Sequence, residues 1–151
     1  MDRSFIKSFS QKFLLASFAD KRTAVYVLIW SMVIRFMIFF LPFKTYRHRL
    51  GKLQEIATRE PNSEEIKLAK HLQDIVESVC NHTPWRSKCL VQAIICKQLL
   101  KKKGVQTTLY LGVFTQPENH KLISHAWLKA GEVMLTGARG HKKFKVVNYY
   151  G

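Results

Sequence analysis

Along the chain, the spacing of apolar positions changes character twice. Residues 24–43 form a 20-residue apolar run interrupted only by Arg35. Such a run is long enough to cross a bilayer, although a charge at its centre costs about 2.5–3.5 kcal/mol on insertion scales. Basic residues flank it on both sides (Lys21, Arg22; Lys44, Arg47, Arg49), so the charge bias sets no orientation. The run is therefore read in three ways: a helix buried against protein, a membrane-surface anchor, or a span. Pro42 ends it in each case.

After a polar stretch over 51–63, the period becomes helical. Asn62 is an N-cap and Glu65, three residues on, reaches back to it. Ile66, Ala69, Leu72, Ile75, Val76 and Val79 then recur at helical spacing, which predicts an amphipathic helix over 63–80. The turn Asn81-His82-Thr83-Pro84 leads to a second helix, with Ser87 as its N-cap. Leu90, Val91, Ile94, Ile95, Leu99 and Leu100 form its apolar face, and Gly104 stops it after three lysines. From there the period is two: Thr107, Leu109, Leu111 and Val113 alternate through 105–113. Further strands are expected over 121–129, 132–136 and 144–149, separated by turn residues. Helices followed by strands define an α+β fold with a mostly antiparallel sheet. The organisation expected is an N-terminal helical region, 1–60, and an α+β domain, 61–151.

Composition narrows the class. Apolar residues make up 47% of the 151, enough for a core and too many for disorder throughout. The 25 Lys and Arg against 10 Asp and Glu give +15, a balance that favours anionic partners and says nothing about fold. The three cysteines, Cys80, Cys89 and Cys96, form no C-x-x-C and follow no cleavable signal peptide. A reducing cytoplasm with free thiols is the expectation.

Among the thiols, Cys89 is the nucleophile candidate. With Ser87 as N-cap it takes the second helical position, where unpaired N–H groups and the positive dipole end suit a thiolate. Arg86 and Lys88 flank it. The ordinary fate of a free cysteine is to pack as a small buried residue. A thiolate nucleophile needs an imidazole, and of six histidines His125 stands at a strand, in Ser124-His125-Ala126-Trp127-Leu128. If Ala130-Gly131 is a two-residue turn, Lys129 pairs with Glu132 and His125 lies opposite Thr136. Thr136 is then the orienting position, and no carboxylate occupies it. Trp127 shares a face with His125, and Trp85 precedes Cys89 by one turn; either is a site-shaping ring or a core aromatic.

These residues together resemble one family. Trp85 to Leu90, Ala93, Gly104, Leu111-Gly112-Val113, His125-Ala126-Trp127-Leu128, Gly131 and Leu135-Thr136-Gly137 are similar, in order, to the peptidase half of lasso peptide biosynthesis B proteins, the microcin J25-processing family. The likeness covers about residues 61–149, and extends more loosely to Leu41-Pro42-Phe43 and Leu50-Gly51. It implies a transglutaminase-like, papain-related cysteine peptidase that cuts the leader from a ribosomal precursor, with Cys89 as nucleophile and His125 as base. It also implies two partners: a separate leader-recognition protein, and an ATP-dependent cyclase that closes the lasso ring. The family's orienting Asp is replaced here by Thr136.

Three rival readings follow from the same residues. A catalytically weak scaffold for the maturation complex would explain the missing acid. A nucleic-acid-binding module would use the basic clusters at 46–49, 101–103 and 139–145, but no nucleic-acid fold signature accompanies them. A metal site from Cys80, His82, Cys89 and His125 matches no zinc spacing, so no metal or cofactor is expected. The peptidase reading places the protein in the cytoplasm, with membrane contact through 24–43, and requires Cys89 and His125 to meet in the fold.

Overall fold

The computed structural model describes residues 17–85 and 87–151. Among the described residues four α-helices precede a four-stranded antiparallel sheet: α1 (Phe18–Phe40), α2 (Phe43–Tyr46), α3 (Ser63–Asn81) and α4 (Cys89–Lys102), then β1 (Thr108–Thr115), β2 (Leu122–Ala130), β3 (Val133–Thr136) and β4 (Lys145–Tyr150). The sheet order is β3-β2-β1-β4. The α+β class read from the periodicity is the class observed.

Helix α3 starts where the sequence places it. Asn62 Oδ1 accepts from Glu65 N–H at 2.9 Å, and Glu65 Oε2 accepts from Asn62 N–H at 2.9 Å, a complete capping box worth about 1 kcal/mol. Its stripe Ala69, Leu72, Val76 and Val79 is buried. Helix α4 is apolar on most of its circumference and lies at the centre, with Val91, Ala93, Ile94, Ile95, Cys96 and Leu100 all buried. It contacts α3 and α1 on one side and β2, β3 and β1 on the other. The Val105 N–H returns to the Leu100 carbonyl and closes its end.

Helix α1 begins earlier than the apolar run, at a Ser17 cap whose Oγ accepts from Asp20 N–H at 3.1 Å. It ends at Phe40, and Pro42 starts the short α2. Ala24, Val27, Ser31 and Ile34 are buried against the rest of the fold. The helix is also long and apolar enough to cross a membrane by length and composition. Its exposed side carries Val25, Leu28, Ile29, Met32, Phe36, Phe39 and Phe40.

The sheet has two dissimilar faces. Leu109 of β1, with Ala126, Leu128 and Ala130 of β2, joins the helical core. The alternate residues Tyr110, His125 and Trp127 look the other way, where Trp127 stacks on Tyr110 at 5.8 Å between ring centroids. Gly112, paired with His125, makes this stacking possible. A Cβ at 112 would sit 2.8 Å from the Trp127 ring.

The β2–β3 register differs from the expected one. Gly131 and Glu132 form the hairpin loop, so Ala130 pairs with Val133 and Lys129 with Met134. Gly131 takes φ +54 at the first loop position, a conformation open to glycine and strained for other residues. A bulge follows, and Thr136 pairs with Leu128, not with His125. Opposed residues share a face, so Thr136 points to the helical side.

Candidate active site

Cys89 opens α4. Lys88, not Ser87, is the N-cap, so Cys89 occupies the first helical position, not the second. Lys88 gives no side-chain cap, and the buried Ser87 turns inward, its Oγ 2.9 Å from Thr83 Oγ1. Thr83 also donates toward the Cys80 and Trp85 carbonyls, so the chain ahead of Cys89 is fixed by its own hydroxyls. Trp85 Nε1–H donates to Ser31 Oγ at 3.0 Å and ties this loop to the middle of α1.

The three thiols are free and differ in environment. Cys80 and Cys96 are buried, while Cys89 is half-buried. Burial pushes the Cys80 thiol up to about 11, despite an opposing hydrogen bond with Ser87, and the Cys96 thiol up to about 12. Neither is a nucleophile near neutral pH. Cys89 alone combines access with a helix start.

His125 is held by a backbone group. Its Nε2 lies 2.8 Å from the Gly137 carbonyl oxygen. A carbonyl only accepts, so Nε2 carries the proton, and in the neutral ring Nδ1 keeps its lone pair. Gly137 reaches this place by packing onto β2. It takes φ +70, and a Cβ there would lie 2.3 Å from the Ala126 carbonyl oxygen. The imidazole is walled by Phe144, 4.9 Å between centroids, and Trp127, 5.9 Å. Trp127 in turn lies 5.9 Å from the His141 ring. An acceptor that fixes the imidazole tautomer is thus present, and it is the main chain one residue beyond the position expected. Thr136 Oγ1 is buried and makes no hydrogen bond.

Cys89 packs against the helical core, and the ring contacts of His125 lie on the other sheet face. No hydrogen bond joins the two among the described residues. Nor do the described residues contain a cluster of His, Cys, Asp or Glu able to hold a metal ion.

An antiparallel sheet packs against a central helix that begins at a half-exposed cysteine, and the second strand carries a histidine held by the Gly137 carbonyl. The chain belongs to the transglutaminase-like superfamily, whose family model matches residues 37–148. That superfamily includes cysteine peptidases and transglutaminases. No curated protein and no solved structure matches the chain.

Proposed function

We propose that this protein is a cysteine peptidase that removes the leader from a ribosomally made lasso peptide precursor, with Cys89 as nucleophile and His125 as general base. The observation that carries the reading is the His125–Gly137 hydrogen bond. It leaves the ring nitrogen that a thiol must protonate as an acceptor, with no carboxylate required.

Catalysis requires Cys89 Sγ to come within about 3–3.5 Å of His125 Nδ1, so the two side chains, which keep to different sides of the sheet, have to be brought together by a rearrangement that the bound precursor drives. Nδ1 then takes the thiol proton, and the thiolate attacks the scissile carbonyl. Backbone N–H groups at the start of α4 receive the resulting oxyanion. The imidazolium returns its proton to the leaving amine of the core peptide. Water, deprotonated by His125, cleaves the thioester and frees the leader carboxylate. A separate leader-recognition protein presents the precursor, and an ATP-dependent cyclase consumes the freed amine in the cytoplasm. The resemblance of residues 61–149 to the peptidase half of lasso B proteins supports these partners.

The placement of Cys89 on the helical core and of the His125 ring on the other sheet face favours a second reading, a scaffold that holds the maturation complex without cutting. Masses recorded after mixing the protein with precursor and recognition partner separate the two. Freed leader is expected from the wild type and from Cys96→Ala, and at least about a hundredfold less from Cys89→Ala and His125→Ala with unchanged melting temperatures. Full cleavage by Cys89→Ala ends the peptidase reading; no cleavage by the wild type in the complete mixture supports the scaffold.

A further inference from the structure

Helix α1 is fastened to the domain along one side and apolar on the other. Asp20 Oδ1 lies 2.8 Å from His71 Nε2, and the Lys102 ammonium sits 4.2 Å from the Tyr26 ring centroid. The Arg49 guanidinium lies 5.8 Å from the Trp30 ring centroid, and Ser31 is bonded to Trp85. With Ala24, Val27 and Ile34 buried as well, the helix cannot be surrounded by lipid while the fold is intact.

The opposite side is a continuous stripe. At about 100° per residue, Val25, Leu28, Ile29, Met32, Phe36, Phe39 and Phe40 all fall within about 60° of one line along the helix. These are not tips of half-covered side chains: Phe36 is 59% and Phe39 76% exposed. A contiguous exposed stripe of this kind marks a docking surface.

Charge identifies the occupant. Between Ser17 and Gln54 stand seven Lys or Arg and a single carboxylate, Asp20, which His71 engages. Arg22 is exposed at one end of the stripe, and Lys44 and Arg47 are exposed beyond the other. The helix is apolar nearly all round, but the domain covers its Ala24–Ile34 side, so what remains is an apolar stripe with cations at both ends, which suits the surface of anionic lipid. We propose that α1 docks this protein in the plane of an anionic membrane, stripe immersed and Ala24–Ile34 side retained in the fold, without crossing it. This inference is independent of the peptidase reading.

Co-sedimentation of the full chain with vesicles of phosphatidylglycerol and phosphatidylcholine in equal parts tests the proposal, with pure phosphatidylcholine vesicles alongside. Binding to the anionic vesicles is expected, weaker with added salt, and lowered at least about tenfold by Ile29→Ser/Met32→Ser/Phe36→Ser with the melting temperature unchanged. Partial protection of α1 is expected on the bound protein, with the Trp85 environment unaltered in fluorescence, since a span would release it from Ser31. Three outcomes overturn the proposal. One is the absence of anionic-vesicle binding, and a second is binding indifferent to the stripe variant. The third is a dimer that the stripe variant dissociates in a protein that ignores vesicles, which would assign the stripe to a second copy.

Discussion

Thr136 and Gly137 are neighbours with opposite fortunes. The threonine hydroxyl is buried without a partner, while the glycine carbonyl holds the histidine. A buried unpaired hydroxyl costs free energy that an isosteric methyl does not. Thr136→Val is therefore expected to raise the urea midpoint, by about 1 kcal/mol in stability, and to leave precursor cleavage unchanged. Loss of cleavage in this variant would restore the orienting role that the sequence suggests for Thr136. That role follows from the expected hairpin register, and although a backbone carbonyl is an equally good neutral acceptor, the sequence does not mark which carbonyl serves. The one visible trace is the glycine itself, at a place where only a residue without Cβ can lie against Ala126. The three thiols, by contrast, were separable in the sequence: Cys96 sits amid the apolar face of a helix, Cys80 at a helix end, and Cys89 at a helix start. Their burial follows that order of placement.

Elements with a strong period and a paired cap were legible. Asn62 and Glu65 fixed the start of α3 because each satisfies the other's backbone donor, a two-residue condition written in the sequence. The start of α4 was harder. Ser87 is a good cap by residue type, but Thr83 engages its hydroxyl, a competition no propensity contains, and the cap moves to Lys88. The β2–β3 pairing was misplaced for a related reason: a bulge adds a residue to one strand and leaves the hydrophobic alternation nearly intact. Of the three placements weighed for the apolar run, packing against protein holds for one stripe of α1, and the other side of the helix is exposed. Its attachment to the Cys89 loop rests on Trp85. Trp85→Phe keeps an aromatic ring but removes the pyrrole ring with its donor, and is expected to lower stability by at least about 0.5–1.5 kcal/mol. Thermal denaturation measures this; an unchanged midpoint would mean that the Ser31 bond contributes nothing net.

Across the molecule, α4 is joined to the far ends of two strands by one amine. Lys97 is 6% exposed, and its Nζ donates to the Thr107 carbonyl at 2.6 Å and the Tyr150 carbonyl at 3.2 Å. Burial, with a smaller push from Lys101, lowers its pKa from 10.5 to about 8. Between those two values the unfolded chain binds the proton that the folded chain has released, so stability from this group grows as pH rises from about 8 to about 10.5. Urea midpoints across that window should rise in the wild type relative to Lys97→Met, which lacks the titrating group; parallel curves would show that the ammonium is not desolvated. Tyr150, which Lys97 holds, also bridges to Leu53. Beside it the Lys52 N–H donates to the Gly151 carbonyl and the Gly151 N–H to the Lys52 carbonyl, while the Gln54 N–H donates to Tyr149. The ribbon at 52–54 thus occupies backbone groups that β4 would otherwise offer to a foreign strand. What is left for an extended polypeptide joining this sheet is the Lys145–Val147 stretch of β4 and, at the other margin, β3 with the half of β2 that bears His125.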